Sequence, residues 1–423
     1  MDFPPRSHAF AWTLAFCALL LARLLTHLWL ASRQVRHVAL HRGAVPAAFA
    51  ARVELAAHQK AADYTIAKLR LDLLDQGWGA ALLLGWTLLG GLDALNQGLR
   101  TLLGPGLLQQ VAVLGGFFAL GALLELPLAW VRTFRIEQRY GFNRMTLRLW
   151  LLDGLKSALL GAVIGLPFGA LLLWLMQAMG ALWWLWAWAL WLGFNLLLLL
   201  LYPTVIAPLF NKFEPLADEA LKARIEALLR RCGFHAKGLF VMDGSKRSAH
   251  ANAYFTGFGP AKRVVFFDTL LKQLGPGEID AVLAHELGHF RHRHLSKRLL
   301  LLFAGSLLGF ALLGWLAQQP WFYGGLGVRP NLDGPNSALA LLLFVCVAPL
   351  ASFFVTPLLS GLSRRHEFEA DAYACQHADG RELASALVRL YQDNASTLTP
   401  DPLFARFYYS HPPAAERIAR LQA

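Results

Sequence analysis

The sequence is poor in charged residues, which make up 16% of its 423 positions, whereas hydrophobic residues make up 56%. This composition excludes a disordered chain and is unusual for a soluble globular protein. The four cysteines form no closely spaced pair, so they predict packing residues and neither a disulfide framework nor a thiolate zinc site. No basic run is interleaved with exposed aromatics, so the net charge of +12 does not indicate a nucleic acid partner.

Apolar stretches long enough to cross a bilayer occur seven times. They lie at roughly 9–31, 78–98, 107–131, 150–175, 181–205, 299–318 and 337–360. The first carries Arg23 and His27 and lacks a small-residue cleavage site, which favours a signal anchor over a cleaved signal peptide. We therefore divide the chain into an N-terminal membrane region (1–205), a soluble insert (206–298), two further spans (299–360) and a C-terminal part (361–423).

Lysine and arginine are distributed unevenly between the segments that flank these spans. The segments 32–77, 132–149, 206–298 and 361–423 hold 34 of the 39, whereas the opposite side holds only Arg6, Arg100 and Arg329. Because positive residues accumulate on the cytoplasmic side of a membrane, this split predicts an external N-terminus and a cytosolic C-terminus.

The predicted spans contain two notable features, a set of three acidic residues and a regular pattern of glycines. Asp93, Glu125 and Asp153 lie inside spans or at their ends, where an unpaired charge is costly, so they pair with Arg or Lys, face a wet interior or form an ion pathway. The glycines at 161, 165 and 169 form a small-xxx-small pattern, which favours close packing of helices.

The insert 206–298 has the patterns of a small α+β unit. An amphipathic helix is predicted over 216–229, followed by strands at 238–242, 252–258 and 263–267, with a turn at 259–262 joining the last two into a hairpin. From 277 the helical pattern continues through 298, and we expect one long helix that runs into the sixth span.

That helix contains His285-Glu286-Leu-Gly-His289, the His-Glu-x-x-His arrangement. Residues four apart share a helix face, so the two imidazoles can bind one Zn²⁺ while Glu286 faces the water on the metal. A coincidental pair of surface histidines is the alternative. His292 and His294 are expected to be polar surface residues, because His292 lies about 10 Å along the axis from His285.

A third ligand is expected downstream, where Glu367, Glu369 and Asp371 follow the seventh span. Glu367 and Asp371 share a helix face and Glu369 points elsewhere. The spacing lets Glu367 bind zinc while Asp371 accepts the free ring N–H of a ligating histidine. A solvated acidic face is the alternative.

These motifs give the chain a resemblance to the integral-membrane zinc CAAX prenyl endopeptidases, a gluzincin-like family that trims prenylated proteins after the modified Cys. The resemblance covers nearly the whole chain. It is carried by the zinc motif and by the segments 134–146, 208–216, 245–248, 252–255, 267–270, 363–371 and 409–417.

The resemblance implies a mainly α, polytopic membrane protein, with seven transmembrane helices around a chamber and an α+β zinc metalloprotease core on the cytosolic side. It implies one Zn²⁺ per chain, a peptide or protein substrate with or without a lipid, and membrane lipids as further partners. The implied site consists of His285, His289 and Glu367 as ligands, Glu286 as base, Asp371, His411 and Arg417 as further catalytic residues, and Asn252, Ala253 and Tyr254 as substrate contacts.

Several of these assignments have a simpler alternative. Asp371 is expected to orient a ligand, with a role as proton donor as the alternative. Asn252 could simply start the hairpin, Ser410 could cap the last helix, and Arg417 could form an exposed pair with Glu416. His366 and Glu369 match no essential family position.

The origin of the chain affects its expected substrate. Its compact, Ala/Leu/Arg-rich sequence, without an ER-retrieval tail, is typical of bacteria, which favours the inner membrane, whereas prenylated CAAX proteins are eukaryotic. A quality-control membrane metalloprotease without prenyl specificity is therefore an alternative, and a non-enzymatic transporter or scaffold is a weaker one.

The charge asymmetry gives a test of the orientation. In a variant whose four native cysteines are replaced by Ala, a single Cys introduced beside Arg329 should react with a membrane-impermeant reagent in intact cells. A Cys beside Lys272 should react only after the cells are opened. The reverse labelling pattern would contradict the predicted orientation.

Overall fold

The computed structural model describes residues 5–234, 238–256 and 263–422, and most of this part of the chain is helical. Within it, six helical stretches are long and apolar enough to cross a membrane, and a bent helix pair makes seven if the pair is one span. The six stretches are Ser7–Leu40, Leu107–Glu137, Leu147–Ala178, Gly180–Phe210, His294–Leu316 and Ser337–His377. The expected polytopic, mainly α fold is confirmed.

The helices are numbered in chain order. The first nine are α1 (Pro5–Leu40), α2 (Leu55–Trp86), α3 (Gly91–Leu103), α4 (Leu107–Val131), α5 (Leu147–Ala178), α6 (Trp183–Leu201), α7 (Ala207–Phe210), α8 (Glu219–Arg231) and α9 (Asp268–Gln273). The others are α10 (Pro276–Arg291), α11 (His294–Leu316), α12 (Pro320–Gly324), α13 (Ser337–Ser352), α14 (Thr356–His377), α15 (Gly380–Asp393), α16 (Pro402–Tyr408) and α17 (Ala414–Leu421).

The second expected span, 78–98, is a broken helix. α2 and α3 meet at an angle of 47°. Gly90, at the break, has a φ of 81°, a conformation that glycine adopts without strain. Beside the break, a Cβ on Gly327 would lie 2.8 Å from the carbonyl oxygen of Thr87, so the loop before α13 packs directly on the turn between the two helices. Apolar residues continue through the break, which is why hydropathy alone predicts one uninterrupted helix.

Two of the three acidic residues in the spans are ion-paired. Asp93 accepts from the Arg329 side chain at 2.6 Å and from its backbone N–H at 3.1 Å. Asp153 accepts from the Arg247 Nε at 2.8 Å. Glu125 is exposed, and no ion-pair partner lies within 4 Å of it in the described part of the chain. The expected pairing is therefore found for Asp93 and Asp153.

The glycine pattern on α5 packs a helix at only one of its three positions. A Cβ on Gly169 would lie 2.5 Å from Leu114 Cδ2 of α4, whereas Gly161 and Gly165 have nothing within 4 Å. Both of these line a cavity of about 890 Å³, which α4, α5, α6, α11 and α13 enclose almost entirely with apolar side chains. The small residues thus leave space, and the expectation of close packing is wrong at Gly161 and Gly165.

The soluble insert contains a four-stranded sheet in the order β1-β2-β4-β3. Its strands are β1 (Phe213–Pro215), β2 (Gly238–Met242), β3 (Ala253–Thr256) and β4 (Arg263–Phe267). The strands at 238–242 and 263–267 have the predicted bounds, β3 and β4 are antiparallel as expected, and β2 and β4 are parallel. β1 was not predicted, and the turn at 259–262 lies outside the described residues.

The expected continuous helix from 277 into the sixth span is wrong. α10 ends at Arg291 and α11 begins at His294. Arg293, between them, has a φ of 55°, which is uncommon for a residue with a Cβ. The chain therefore turns at the point where it leaves the soluble insert.

α10 and α14 lie in backbone contact. A Cβ on Gly288 would lie 2.8 Å from the Ala370 Cα and 3.1 Å from the Tyr373 Cβ. Both helices contribute to one apolar cluster with α8, α9, α15 and the sheet, in which Leu283, Leu287 and Ala374 are almost fully buried. Because Ala370 cannot move without its helix, glycine at 288 fixes the distance between two segments that are 80 residues apart.

We expect Gly288→Ala to separate α10 from α14. Overpacking of this kind costs about 1–3 kcal/mol, which should lower the melting temperature in detergent by several degrees and weaken zinc binding. Gly305→Ala on α11 is the matched control, because a Cβ there meets nothing within 4 Å. Equal melting temperatures for the two variants would contradict this account of the helix contact.

Candidate metal centre

The three side chains predicted as zinc ligands lie together. α10 carries His285 and His289, and α14 brings Glu367 across from them. The two Nε2 atoms are 3.2 Å apart, and each lies 3.4 Å from a different oxygen of Glu367, Oε2 for His285 and Oε1 for His289. Tetrahedral zinc with bonds of about 2.0–2.1 Å holds its ligand atoms about 3.3–3.4 Å apart, so this spacing fits a single ion.

Burial also supports a cation at this position. Glu367 is 2% exposed, and its Oε2 has no hydrogen-bond partner in the described structure. A buried carboxylate oxygen without a donor is costly, and a metal ion between the three side chains would satisfy it. The residues present therefore fit a zinc ion, and they leave one of its four positions for water or substrate.

Glu286 occupies the helix position expected of a base. It is half-buried beside the two histidines. Burial raises its pKa, because removal from water disfavours the charged form, while the neighbouring imidazoles oppose the shift. A carboxylate with a raised pKa is suited to accept and return a proton near neutral pH.

His285 is fixed from behind by a carboxylate and an arginine. Asp371 Oδ1 lies 2.8 Å from the His285 Nδ1, as the spacing on α14 predicts. Arg417 donates to both oxygens of Asp371, at 2.8 Å and 2.5 Å, and is only 5% exposed. This bidentate pair holds the carboxylate so that it accepts the Nδ1 proton and leaves Nε2 free for metal. The simpler alternative, in which Arg417 forms an exposed pair with Glu416, is wrong.

His289 has a second support, which the sequence analysis missed. The Nδ1 atoms of His289 and His294 are 2.9 Å apart, and the His294 Nε2 lies 2.8 Å from Glu369 Oε2. His294 is 2% exposed, and the His366 ring stacks on it with centroids 4.0 Å apart. The expectations of a surface His294 and of a Glu369 unrelated to the site are both wrong.

The break between α10 and α11 explains this error. On an uninterrupted helix, the fifth residue after His289 lies about 140° around the axis, which turns it away from the metal. The backbone of Arg293 adopts a left-handed conformation, which turns His294 back towards His289 instead. A positive φ at an arginine leaves no signal in the sequence.

The C-terminal segment closes another side of the centre. The His411 Nε2 lies 3.4 Å from Glu367 Oε1, and its side chain is 61% exposed. Ser410 does not cap α17 as the simpler alternative supposed: the residue before the helix is Pro413, and the Ser410 hydroxyl lies 3.0 Å from the His411 Nδ1. His411 is therefore the accessible polar group beside the ligands.

The segment predicted to contact substrate forms an edge of the sheet. β3 pairs with β4 on one side and is the last strand in the sheet order. Asn252 is exposed just before it and accepts a hydrogen bond from the Ala253 N–H at 2.8 Å, and Tyr254 is half-buried. An edge of this kind can accept an added strand, and Asn252 also starts the hairpin as the simpler alternative proposed.

Comparison with known proteins extends the likeness to the entire chain. Residues 34–212 match the model of the CAAX prenyl protease N-terminal region with five membrane helices, and residues 215–423 match peptidase family M48. The chain belongs to the CAAX prenyl protease family of M48 peptidases. It is 36% identical to CAAX prenyl protease 1 of Saccharomyces cerevisiae, over 74% of this chain and 72% of that protein.

The chain is also similar to other members of the family. The Arabidopsis thaliana CAAX prenyl protease 1 homolog is 35% identical, over 78% of this chain and 74% of that protein. The crystal structure of Saccharomyces mikatae Ste24p is 30% identical, covers 100% of both chains and superimposes with a TM-score of 0.91. The family assignment made from the sequence motifs is confirmed.

The support behind His289 can be tested by metal binding. We expect His294→Ala and Glu369→Ala each to weaken zinc affinity about 10–100-fold, because the ring of His289 loses the contact that fixes its tautomer. Zinc affinity is measured by competition with a chelator. Glu416→Ala, an exposed carboxylate on α17, is the control and should bind zinc as the wild type does. Wild-type affinity in both test variants would show that the pair has no role at the metal.

Proposed function

We propose that this member of the CAAX prenyl protease family is a zinc-dependent membrane endopeptidase that cleaves near the C-terminus of CAAX-type substrates. The observation that carries the proposal is that His285, His289 and Glu367 bring their ligand atoms within 4.8 Å of one another, next to Glu286 and in a chain of membrane-spanning helices. Zinc is held by His285, His289 and Glu367, and when bound it supplies a Lewis acid that activates water and polarises the scissile carbonyl.

Glu286 acts as the general base and then as the acid. It takes a proton from the attacking water and returns it to the leaving amine. Its raised pKa suits both steps, since a carboxylate of ordinary pKa holds a proton poorly at neutral pH.

Asp371 and Arg417 orient His285. Both oxygens of Asp371 are engaged, one by His285 and Arg417 together and the other by Arg417 alone. A carboxylate held in this way is poorly placed to deliver a proton to a leaving group, which favours the orienting role over that of proton donor.

His411 is the better candidate for stabilising the developing oxyanion. Its Nε2 is close to Glu367 and its side chain is accessible, whereas the Arg417 guanidinium is buried and committed to Asp371. A donor that strengthens as charge develops is worth about 10²–10³ in turnover. The substrate backbone pairs with the edge strand at Asn252, Ala253 and Tyr254, which supplies affinity independent of side chains.

The membrane setting completes the proposal. The N-terminus lies outside and the site faces the cytosol, as the Lys and Arg split predicts. The large apolar cavity among α4, α5, α6, α11 and α13 supports a substrate that carries a lipid. A plasma-membrane location in bacteria is part of the same proposal.

The separate roles of base and ligand can be tested together. We expect Glu286→Gln to retain one zinc per chain but to lose cleavage of a farnesylated CAAX peptide, because the water loses its base while the ligands remain. Glu367→Ala should lose both zinc and cleavage. Zinc is measured by elemental analysis and cleavage by product release from the detergent-purified protein.

Glu416→Gln is the matched control and should retain zinc and turnover, because this exposed carboxylate contacts neither metal nor ligand. Wild-type turnover in Glu286→Gln would contradict its role as base. Full zinc occupancy in Glu367→Ala would contradict its role as ligand.

A further inference from the structure

A second cavity, of about 440 Å³, lies between α1, α2 and the C-terminal helices. We call it the Lys68 pocket. Its wall includes Tyr409, which is two residues before His411, and Ser396, which is two residues after Asn394. The His411 Nε2 is 3.4 Å from Glu367, so the chain passes within two residues from the wall of the pocket to a contact with a candidate ligand.

The pocket also lies next to the start of the edge strand. The side-chain oxygen of Asn394 accepts from the Ala251 N–H at 3.1 Å, and Ala251 immediately precedes Asn252 and β3. On the other wall, Lys68 lies over the Tyr64 ring at 4.0 Å, and the Tyr64 hydroxyl donates to Glu137 at 2.6 Å. Glu137 in turn lies 3.5 Å from the ring of His250, which joins this wall to the same end of the strand.

The direction of strand addition places one end of the substrate here. A peptide that adds antiparallel to β3 runs against it, so its residues after the scissile bond lie beyond the N-terminal end of the strand. That end is hydrogen-bonded to Asn394, two residues before Ser396 in the wall of the pocket. A CAAX substrate ends three residues after its Cys, and three extended residues span about 10 Å.

The chemistry of the lining suits such a chain end. Leu69, Leu71 and Phe404 are apolar, and Thr65, Ser396 and Thr397 offer hydroxyl groups to a peptide backbone. A volume of about 440 Å³ falls at the small end of the range for ligand pockets, which suits a few residues and not a folded partner.

Lys68 is the available cation of the pocket. No carboxylate lies within 4 Å of its ammonium group in the described part of the chain. The other charges of the lining are engaged: Arg132 donates to Asp75 at 3.3 Å, and Asp72 lies 2.9 Å from the His27 Nε2. Because an exposed lysine at the wall of a partly polar cavity attracts an anion, the lining favours a carboxylate at this place.

We propose that the Lys68 pocket binds the free C-terminal carboxylate of the substrate. An ion pair between this carboxylate and Lys68 would fix the number of residues between the chain end and the scissile bond. This proposal rests on the proposed endopeptidase function and deepens it. It explains cleavage at a fixed distance from the C-terminus by a specific ion pair, in addition to any recognition of the lipid. Lys68 is then a specificity-determining residue and takes no part in the chemical step.

The test uses the full-length detergent-purified protein and two farnesylated CAAX peptides that differ only in a C-terminal acid or amide. For the wild type we expect the KM of the acid to be at least about tenfold lower than that of the amide, as loss of a charged hydrogen bond implies. Lys68→Met should raise the KM of the acid to that of the amide, with unchanged kcat and zinc content.

Two further variants separate charge from packing. Lys68→Arg should keep the preference for the acid, because the positive charge remains. Arg70→Met, on the same helix but outside the pocket lining, should behave as the wild type.

Equal KM values for acid and amide in the wild type, or an unchanged preference in Lys68→Met, would overturn the Lys68 proposal while cleavage itself upheld the endopeptidase function. Cleavage of neither peptide by the wild type would overturn both.

Discussion

The contact between α10 and α14 is the constraint on which the metal centre depends. Both histidine ligands lie on one helix and the carboxylate ligand lies on the other, and the helices approach closely because residue 288 has no side chain. A two-residue histidine site on α10 alone binds metal weakly, since structural and catalytic zinc sites use at least three protein ligands. The closeness of the two backbones thus turns a local motif into a three-residue group that fits a metal ion.

Around this contact, each histidine ligand is held by a different kind of partner. His285 is held by Asp371, which Arg417 fixes from α17, and His289 is held by His294, which Glu369 fixes from α14. Both arrangements set the tautomer by occupying Nδ1, so that Nε2 of each ring faces the metal. The two supports come from three different helices, and the C-terminal helix is therefore part of the site although it contributes no ligand.

The sequence predicted those parts of the site that follow from spacing on one helix. His285 with His289 and Glu367 with Asp371 are pairs four residues apart, and regular helices bring each pair onto one face. The family resemblance added Arg417 and His411, which no local pattern connects to the zinc motif. Prediction failed where the backbone leaves regular geometry: the bend between α2 and α3, and the turn at Arg293 that brings His294 inward. Both depend on tertiary contacts that a hydropathy pattern does not record.

The balance of charge in the buried centre gives an independent reason for a divalent ion. Glu286, Glu367 and Asp371 bring three negative charges into one poorly solvated space, and Arg417 is the cation that contacts two of them. Buried charges are tolerated only when they are compensated, and with Glu286 ionised and both ligating histidines neutral the formal charge of these side chains is about −2. A Zn²⁺ ion bound between the histidines would bring this sum to about zero, whereas a monovalent ion would leave it negative. The carboxylates of α10 and α14 therefore select the charge of the ion as well as its position. Because Arg417 compensates the charge of Asp371, this third carboxylate can orient His285 without adding uncompensated negative charge to the site.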